Sequence, residues 1–483
     1  MLSISSLSPT ALSYRGLNHA ELDGTVLATI VNARLEDLEE LPEASGTRSA
    51  PYVSLRQALR GPQRHLILEL KSASPTLGDI NTALNLRRSV EVYSEFGAAI
   101  SVLCESRYFK GSFERLKQVK ELTDLPVIAK DFVISRKQIK SAYVAGADAI
   151  LLMCSVLDRP ALLDFTAYAN SLGLEVILEV TTRSEAEFAL ENNYPVIGIN
   201  NRDLKTLQVD FTTARELEGL LLNAGRIVIS ESGIKSVSDL LSLASFNNFL
   251  VGSSICREAD PYRAVLSLRY GYNKICGLKD EAALKAAIDG KATLAGFIFH
   301  KKSPRYISPA DAKALIESTG AKRFLYTVGV FLDHELPYVV KTCADLKLDY
   351  AQLHGHESPD YIRALRAALP ALKIIKAFNI RSPQSFMTLQ DYAGLCELLL
   401  LDSSMPGSGT SFNWEDIPAE LDRSRCLLSG GLNAHNAAKA LSLGFAGLDV
   451  NSGVESAPGV KDPLLITQLL TQLRQGVTHE HAA

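Results

Sequence analysis

The sequence predicts an α/β protein built from two consecutive TIM (β/α)8 barrels. At 483 residues the chain is too long for one ordinary core, so two domains are expected. Each half contains eight short apolar runs, which begin 20 to 33 residues apart. That interval is what a strand, a helix and two short loops require. Eight such units per half favour closed barrels over a doubly wound open sheet, which is the structural alternative.

The elements follow in chain order. Residues 1–23 lack the features of a secretory signal and are expected to form a loosely ordered extension. Residues 25–40 have the apolar period of a helix that precedes the first strand. The strands of the first half are predicted at 65–71, 98–105, 126–131, 149–155, 174–180, 196–201, 226–232 and 249–252.

The second half repeats this pattern after the stretch 269–278, where residues 273–278 are predicted to form the first strand of a new barrel. The domains are therefore placed at 24–270 and 271–483. The apolar runs are nearly continuous, as expected for strands that are buried on both faces. They lie at 274–278, 294–300, 323–331, 349–355, 373–378, 395–403, 426–431 and 447–452.

Composition excludes several classes of protein. The chain is 47% hydrophobic and 22% charged, with a formal net charge of −4. This charge gives no reason to expect a nucleic-acid or membrane-surface partner, and no apolar run is long enough to span a bilayer. The seven cysteines form no Cys-x-x-Cys pair and are odd in number, which favours a reducing cytoplasm. No obligatory protein partner is inferred.

Polar side chains cluster where the predicted strands of the first half end, which is where TIM barrels carry their chemistry. One such charge could be a solvated loop residue, but six strands that aim polar groups at one mouth favour an active site. The set comprises Glu69, Lys71, Glu105, Lys130, Glu179, Asn200, Arg202, Glu231, Ser232, Gly252 and Ser253.

Glycine-containing turns after strands seven and eight predict phosphate sites. Backbone N–H groups before a helix N-terminus bind anions, and barrels usually hold phosphate at these two strands. The turns are 231–233 and 252–254 in the first half, and 429–431 and 451–453 in the second. Each barrel is therefore expected to bind its own small phosphorylated ligand.

Other polar strand ends in the second half are Cys276, His300, His354 and Asp402. A cysteine alone is more often a small core residue, but an aspartate that ends a buried strand needs a reason. A thiolate and a carboxylic acid that face one cavity are a workable base and acid. His354 and His356 could suggest a metal, but no third ligand is evident, so neither a metal nor a cofactor is predicted.

Long motifs in both halves then point to families. Residues 25–270 resemble indole-3-glycerol-phosphate synthase through segments 68–75, 101–105 with 108–109, 130–132, 197–204, 230–234 and 251–254. Residues 273–473 resemble phosphoribosylanthranilate isomerase through segments 274–278, 303–306, 328–331, 352–355, 401–403, 430–432 and 448–455.

The resemblance implies two consecutive steps of tryptophan biosynthesis. In the isomerase half, Cys276 would remove the C2 proton, Asp402 would protonate the ring oxygen and Arg305 would pair with the anthranilate carboxylate. In the synthase half, Lys130 would act as general acid at the ketone, with Glu179 as a second acid/base group.

The resemblance also implies supporting residues. Glu69 and Lys71 would flank the acid, and Asn200 and Glu231 would hold hydroxyls. Further substrate-binding positions are expected at Ser74, Glu105, Phe109, Arg202, Ser232, Gly233, Gly252, Ser253, His354, Gly430, Gly431, Ser452 and Gly453.

Some positions depart from the family patterns. Leu77 replaces a usual base, the loop 79–86 lacks the usual acidic segment, Lys279 replaces a usual Thr, and Pro406 replaces a glycine. Two alternatives therefore stay open. One is a synthase with a structural second barrel, for which Pro406 is the best argument. The other is a non-catalytic phosphosugar sensor, which would leave Lys130 and Cys276 unexplained.

Overall fold

A computed structural model describes residues 16–48, 50–74, 78–80, 85–203, 206–258, 260–380, 382–392, 394–403 and 414–479. The chain divides into two compact units. One comprises Met1–Lys235 with Leu243–Pro261, and the other comprises Ser236–Ser242 with Tyr262–Ala483. Each unit contains one closed barrel of eight parallel strands, which confirms the predicted fold class.

The first barrel closes because each strand pairs with its neighbour in the chain and the first pairs with the last. At the closure, Leu68 lies opposite Val251. The strands are β1 (His65–Leu70), β2 (Ala99–Leu103), β3 (Val127–Lys130), β4 (Ala149–Met153), β5 (Glu175–Val180), β6 (Val196–Asn200), β7 (Ile227–Glu231) and β8 (Asn248–Val251).

Helices precede, connect and follow these strands, and two of them, Val237–Ser242 and Tyr262–Tyr270, belong to the second compact unit. The helices span His19–Leu22, Val26–Glu40, Leu55–Ala58, Leu86–Phe96, Phe113–Lys120, Arg136–Val144, Arg159–Ser171, Arg183–Glu191, Thr212–Leu222, Val237–Ser242 and Tyr262–Tyr270, the first ten before β8 and the last after it. The helix predicted at 25–40 begins at Val26 because the Thr25 side chain caps it, accepting from the N–H of Ala28. Short antiparallel strands Ala73–Ser74 and Gly78–Asp79 follow β1.

The second barrel closes in the same way, with Ile275 opposite Val450. Its strands are β9 (Lys274–Cys276), β10 (Leu294–Ile298), β11 (Tyr326–Phe331), β12 (Tyr350–Leu353), β13 (Lys373–Ile380), β14 (Leu398–Ser403), β15 (Cys426–Leu428) and β16 (Gly447–Val450). The α-helices span Glu281–Asp289, Pro309–Thr319, Leu336–Leu346, Pro359–Ala368, Ala437–Ser442 and Pro463–His479, and a small hairpin joins Glu455–Ala457 to Val460–Lys461.

One connection differs from the regular strand–helix pattern. Between β13 and β14 the chain forms a 3-10 helix at Pro383–Tyr392 where the spacing predicts an α-helix. Its apolar residues Phe386, Leu389 and Tyr392 recur every three positions, and the first two are buried. A 3-10 helix has three residues per turn, so these side chains share one face that packs on the barrel. Shorter 3-10 turns span Ala321–Arg323, Trp414–Asp416, Arg423–Arg425 and Ser452–Val454.

Side chains alternate between the inside of the second barrel and the layer under its helices. One apolar cluster fills the interior, including Leu294, Val328 and Leu400. A separate, larger cluster, with Phe297, Phe299 and Leu401, lies between strands and helices. This period of two assigns Lys274 and Cys276 to the same face, and Cys276 belongs to the interior cluster. Across the described residues, no helix combines the length and apolarity needed to cross a membrane.

Candidate active sites

The first barrel contains a cavity of ≈ 220 Å³ at the carboxyl ends of its strands. Its walls combine a cluster of charged groups with apolar side chains, among which Val26, Leu27 and Ile30 come from the N-terminal helix. The predicted site residues that line it are Glu69, Lys71, Phe109, Lys130, Glu179, Asn200, Arg202, Ser232, Gly233, Gly252 and Ser253.

The charged groups form a connected chain across the cavity floor. Lys71 Nζ lies 2.7 Å from Glu69 Oε1, and Glu69 Oε2 lies 3.8 Å from Lys130 Nζ. Lys130 Nζ in turn donates to Glu231 Oε2 at 2.8 Å. Glu231 is 1% exposed and lies beneath Lys130, outside the described cavity lining. The half-buried ammonium of Lys130 is therefore held between two buried carboxylates, which are paired as buried charges require.

This arrangement separates the protonation states of the groups. Burial by itself would lower the pKa of Lys130, but Glu231, Glu69 and Glu179 together raise it, so the ammonium stays charged. Burial raises the pKa of Glu179 to about 7, with a further contribution from Glu231, although Lys130 opposes the change. Burial would also raise the pKa of Glu69, but Lys71 and Lys130 outweigh it and keep this carboxyl ionised. Such divergent environments are typical of acid–base sites.

Two glycines, one in β6 and one directly after β8, make room for these carboxylates. A Cβ on Gly252 would collide with Oε1 of Glu69 and lie 3.0 Å from Nζ of Lys71. A Cβ on Gly198 would collide with Oε1 of Glu231. The inward reach of both acids therefore depends on a missing side chain on another strand.

The predicted phosphate turns lie at the same mouth. Ser232 has a φ of 66° and Gly233 a φ of 89°, which turns the backbone sharply after β7. After β8, the Ser254 hydroxyl donates to the carbonyl of Ile234 at 3.1 Å, which ties the two turns together. Backbone N–H groups presented by such turns form anion sites.

Three of the predicted residues, Glu105, Asn200 and Ser74, lie in different parts of the first unit. Glu105 is buried, is absent from the described cavity lining, and accepts from the backbone N–H groups of Arg107, Tyr108 and Phe109. It therefore shapes the loop that carries Phe109 into the cavity. Asn200 donates to Glu179 Oε1 at 3.1 Å. The backbone of Ser74 lies in a short strand, but its side chain is not among the described ones. The described residues also exclude Leu77, the segment 81–84 of the variant loop and Pro406.

The second barrel contains a larger cavity of ≈ 820 Å³, also at the carboxyl ends of its strands. The site residues predicted there that line it are Cys276, Arg305, His354, Asp402, Gly430, Gly431 and Ser452, together with His300. Gly453 is not part of the described lining, and a Cβ on it would collide with the carbonyl of Leu432, so the turn after β16 requires glycine. Lys279 lies at the exposed rim, where it donates to the carbonyl of Pro304 at 3.3 Å.

The side chains of Asp402 and His354 contact each other in the wall of this cavity. His354 Nε2 lies 3.3 Å from Asp402 Oδ2, and the Gln352 amide nitrogen lies 3.0 Å from the other ring nitrogen. The exposed His356 instead contacts Asp333. In the part of the chain that the structure describes, no group of three or more His, Cys, Asp or Glu side chains could hold a metal ion.

Arg305 is held in a fixed orientation by Glu455. Its Nε and Nη2 donate to the two carboxylate oxygens of Glu455 at 2.7 and 2.8 Å, and Lys461 Nζ donates to Oε1 at 2.7 Å. Burial would raise the pKa of Glu455, but hydrogen bonds from Arg305 and Lys461 lower it to about 2. Two cations thus share one anion, which leaves a net positive charge at this side of the mouth.

Comparison with known proteins identifies both halves. The family model of indole-3-glycerol phosphate synthase matches residues 26–268, and that of N-(5'-phosphoribosyl)anthranilate isomerase matches residues 273–472. The tryptophan biosynthesis protein TrpCF of Yersinia pestis is 41% identical over 419 residues, which cover 86% of each chain. The chain belongs to the TrpCF family.

Other TrpCF proteins match over similar lengths. The Vibrio cholerae protein is 38% identical over 468 residues, covering 93% of this chain and 96% of its own. A crystal structure of phosphoribosyl anthranilate isomerase from Thermus thermophilus shares 33% identity over 41% of this chain and 96% of that chain, with a TM-score of 0.37. The chain is a bifunctional enzyme of tryptophan biosynthesis, so the resemblance inferred from the motifs is confirmed and the sensor alternative is wrong.

Sequence reasoning missed several charged residues of this TrpCF chain. Lys274 is fully buried next to Cys276 and pairs with Asp449, while Glu455 and Lys461 support Arg305. The sequence did contain an indication of the buried pair, because Lys274 and Asp449 interrupt strands that are otherwise apolar. A buried charge of that kind requires a partner.

Proposed function

We propose that the strand-end residues of each cavity carry one of the two reactions. The observation that supports this most strongly is the half-buried Lys130 ammonium, held between Glu69 and Glu231 in the same site as the high-pKa carboxyl of Glu179. A fixed cation beside an acid that titrates near neutral pH suits ring closure at a ketone.

In the second barrel, the substrate N-(5-phosphoribosyl)anthranilate is isomerised by an Amadori rearrangement. Asp402 gives a proton to the ring oxygen, and the opened sugar forms an imine with the anthranilate nitrogen. Cys276 then removes the proton from C2, and the resulting enol becomes the ketone 1-(2-carboxyphenylamino)-1-deoxyribulose 5-phosphate. Atoms are conserved in this step, and Asp402 and Cys276 line the same cavity.

Arg305 binds the anthranilate carboxylate in this proposal. Glu455 occupies two of its donors, and a guanidinium has five, so the same group can be oriented by Glu455 and still pair with a ligand. The net positive charge of Arg305, Lys461 and Glu455 then matches one substrate carboxylate. Planar, two-pronged recognition is what distinguishes arginine from lysine at such positions.

In the first barrel, the ketone product closes to indole-3-glycerol phosphate with loss of carbon dioxide and water. Lys130 polarises and protonates the ketone oxygen as the aromatic carbon attacks. Its raised pKa keeps the ammonium charged until the oxyanion develops. Glu179, with a pKa of about 7, takes and returns the protons of the later dehydration. Lys71 lies near the departing carboxylate, and Asn200 holds a hydroxyl. Glu231, which is expected from the resemblance to hold a hydroxyl, is outside the described cavity lining and acts through its hydrogen bond with Lys130 instead.

Phosphate is bound separately in each barrel. The turns at Ser232–Gly233 and Gly252–Ser253 line the first cavity, and those at Gly430–Gly431 and Ser452 line the second. Each mouth thereby has its own anion site on the strands where barrels usually hold phosphate. The presence of Cys276, Arg305 and Asp402 in one cavity favours two working enzymes over a synthase with a structural second barrel.

The remaining proposals concern organisation. We place the functional border between residues 270 and 271, because the helix Tyr262–Tyr270 ends just before β9, although that helix belongs to the second compact unit. We treat residues 1–23 as an extension, but its described part, 16–23, is ordered: it contains the helix His19–Leu22 and buries Leu17 and Leu22. We also propose a cytoplasmic enzyme with no obligatory protein partner. All seven cysteines are free and buried, as a reducing compartment permits.

Two single variants test the division of labour. Lys130→Ala should lower ring closure about 10²-fold or more and leave isomerisation intact, since it removes both an acid and its charge. Cys276→Ala should do the reverse. Cys343→Ala is the matched control, because Cys343 is equally buried but belongs to the outer apolar cluster. Near-normal ring closure by Lys130→Ala would refute its role.

Mixing these two variants tests whether each mouth is complete by itself. Flux from the first substrate to indole-3-glycerol phosphate should return in the mixture, with the lag expected of two separate enzymes. If each variant keeps its remaining activity but the mixture stays inactive, the intermediate must pass within one chain.

A further inference from the structure

Lys274 lies inside the second barrel, below the proposed catalytic thiol. It is two residues before Cys276 on β9, so both side chains point to the barrel interior. Lys274 is 0% exposed, and Cys276 is 3% exposed at the bottom of the large cavity. A fully buried ammonium is costly unless it is paired, so its position needs an explanation.

Its described partner comes from the strand that closes the barrel. Lys274 Nζ donates to Asp449 Oδ1 at 2.9 Å, and the two residues lie opposite each other in the β9–β16 register. On the other side, Gly296 of β10 lies opposite Cys276. A Cβ on Gly296 would lie 2.9 Å from Lys274 Cε and 3.0 Å from Cys276 Sγ. The glycine therefore leaves the space in which the lysine chain extends beside the thiol.

We infer that Lys274 and Asp449 are positioning residues that set the charge state of Cys276, with Lys274 as the counter-ion of the thiolate and Asp449 as the restraint on it. The inference rests on the proposed role of Cys276 as the base that removes the C2 proton. A thiolate buried at the base of a cavity needs a positive charge close by. Asp449 holds that charge in place and limits how strongly it acts.

Two other charged groups interact with the thiol. Lys461 of the hairpin also favours the thiolate, and Arg305 lies close enough to interact with it. Burial raises the pKa of Cys276, the Lys274 ammonium opposes this most strongly, and Asp449 acts in the same direction as burial. Lys274 itself resists deprotonation, because Asp449 and Cys276 raise its pKa despite burial.

Two near-isosteric substitutions separate charge from structure. Lys274→Met removes the counter-ion, so the acidic limb of the isomerase kcat/KM profile, where activity falls as the thiolate is protonated, should move to higher pH. Asp449→Asn removes the restraint, so the limb should move to lower pH. Each unit of upward movement costs about tenfold in kcat/KM below the limb, because the thiolate fraction falls tenfold. Substrate ionisations affect all profiles alike.

The double variant Lys274→Met/Asp449→Asn buries no unpaired charge, so it can still be tested if a single variant fails to fold. Because the lysine contribution exceeds that of the aspartate, its limb should lie between those of the wild type and Lys274→Met. Ring closure in the same chain provides the folding control for the synthase barrel, and thermal unfolding followed by the fluorescence of Trp414 provides it for the isomerase barrel.

The outcomes are distinguishable. The inference would be overturned if the limb of the kcat/KM profile shifted in the same direction in both single variants. It would also be overturned if the limb did not move while kcat fell. Lys274 would then be a structural residue. If Cys276→Ala keeps isomerase activity, the proposed base is wrong instead. In that case the pH dependence of iodoacetamide labelling at Cys276, read by peptide mass spectrometry, still measures the charge state, and unchanged labelling in both variants overturns the inference.

Discussion

Replacing Glu179 by glutamine should make the first barrel more stable at alkaline pH while it stops ring closure. Glu179 is 3% exposed, and burial together with the nearby Glu231 carboxylate raises its pKa from the usual 4.5 to about 7. Glutamine has the same shape, can still accept from Asn200, and carries no charge at any pH. The substitution thus removes only the ionisation.

The magnitude follows from the pKa difference between the folded and unfolded chain. A rise from 4.5 to about 7 corresponds to about 3 kcal/mol, at about 1.4 kcal/mol per pKa unit. Because the folded state binds this proton more tightly, the wild type loses stability as pH rises from 4.5 to 7 and regains none above it. The advantage of Glu179→Gln should therefore be near zero below pH 4.5 and reach about 3 kcal/mol above pH 7.

The assay must report on the first barrel alone. The only tryptophan, Trp414, belongs to the second unit, so its fluorescence follows the other barrel. A urea titration with a brief protease pulse resolves the unfolding of the two barrels, because the protease cleaves unfolded chain and mass spectrometry identifies which barrel each peptide comes from. Equal stability differences at pH 5 and pH 8 would show that Glu179 ionises normally in the folded protein. Ring closure should fall about 10²-fold or more at every pH.

The first three of four further predictions concern a single activity, and the fourth concerns both. Gly252→Ala should displace Glu69 and Lys71, because its Cβ would overlap Glu69 Oε1. Ring closure should fall at least about tenfold while isomerisation is unchanged. An unaffected rate of ring closure would mean that the Glu69 side chain can move aside without loss of function. Ser253→Asp places like charge against phosphate, so the KM for ring closure should rise about tenfold or more. Ser452→Asp should do the same for isomerisation only, and effects on both steps from either variant would contradict separate phosphate sites. Both activities should survive a chelator such as EDTA, and a loss that zinc or magnesium restores would reveal a metal site.

The strand-end chemistry could be predicted from the sequence because of how parallel barrels are built. Their strands are buried on both faces, so a charged residue at the end of an apolar run marks the mouth. This reasoning found Lys130, Glu179 and Asp402, all of which line a cavity. The direction of a side chain is not contained in that pattern. Glu105 has the same strand-end position, yet its carboxylate turns away to bind the backbone of its own loop.

The partners of the buried charges could not be predicted for a related reason. Lys274 and Asp449 are separated by 175 positions, and they meet only because the last strand closes the barrel against the first. The number of strands predicts that the barrel closes, but it does not predict which residues of the first and last strands lie opposite each other. Similarly, the 3-10 helix at Pro383–Tyr392 fits the same interval between strands as an α-helix, so spacing alone cannot separate the two.

The glycines that adjoin buried charges also affect how these active sites can diversify. Gly198 and Gly296 each leave the volume that a long charged side chain from another strand occupies. Acquiring even a methyl group there would shorten the reach of Glu231 or Lys274 without touching any ligand. In a mutational survey these positions would look like conserved backbone features, yet they determine how far a charge extends into the cavity. Directed evolution toward altered substrates therefore has, at each glycine, a control point that acts through a charged neighbour instead of through direct contact with the substrate.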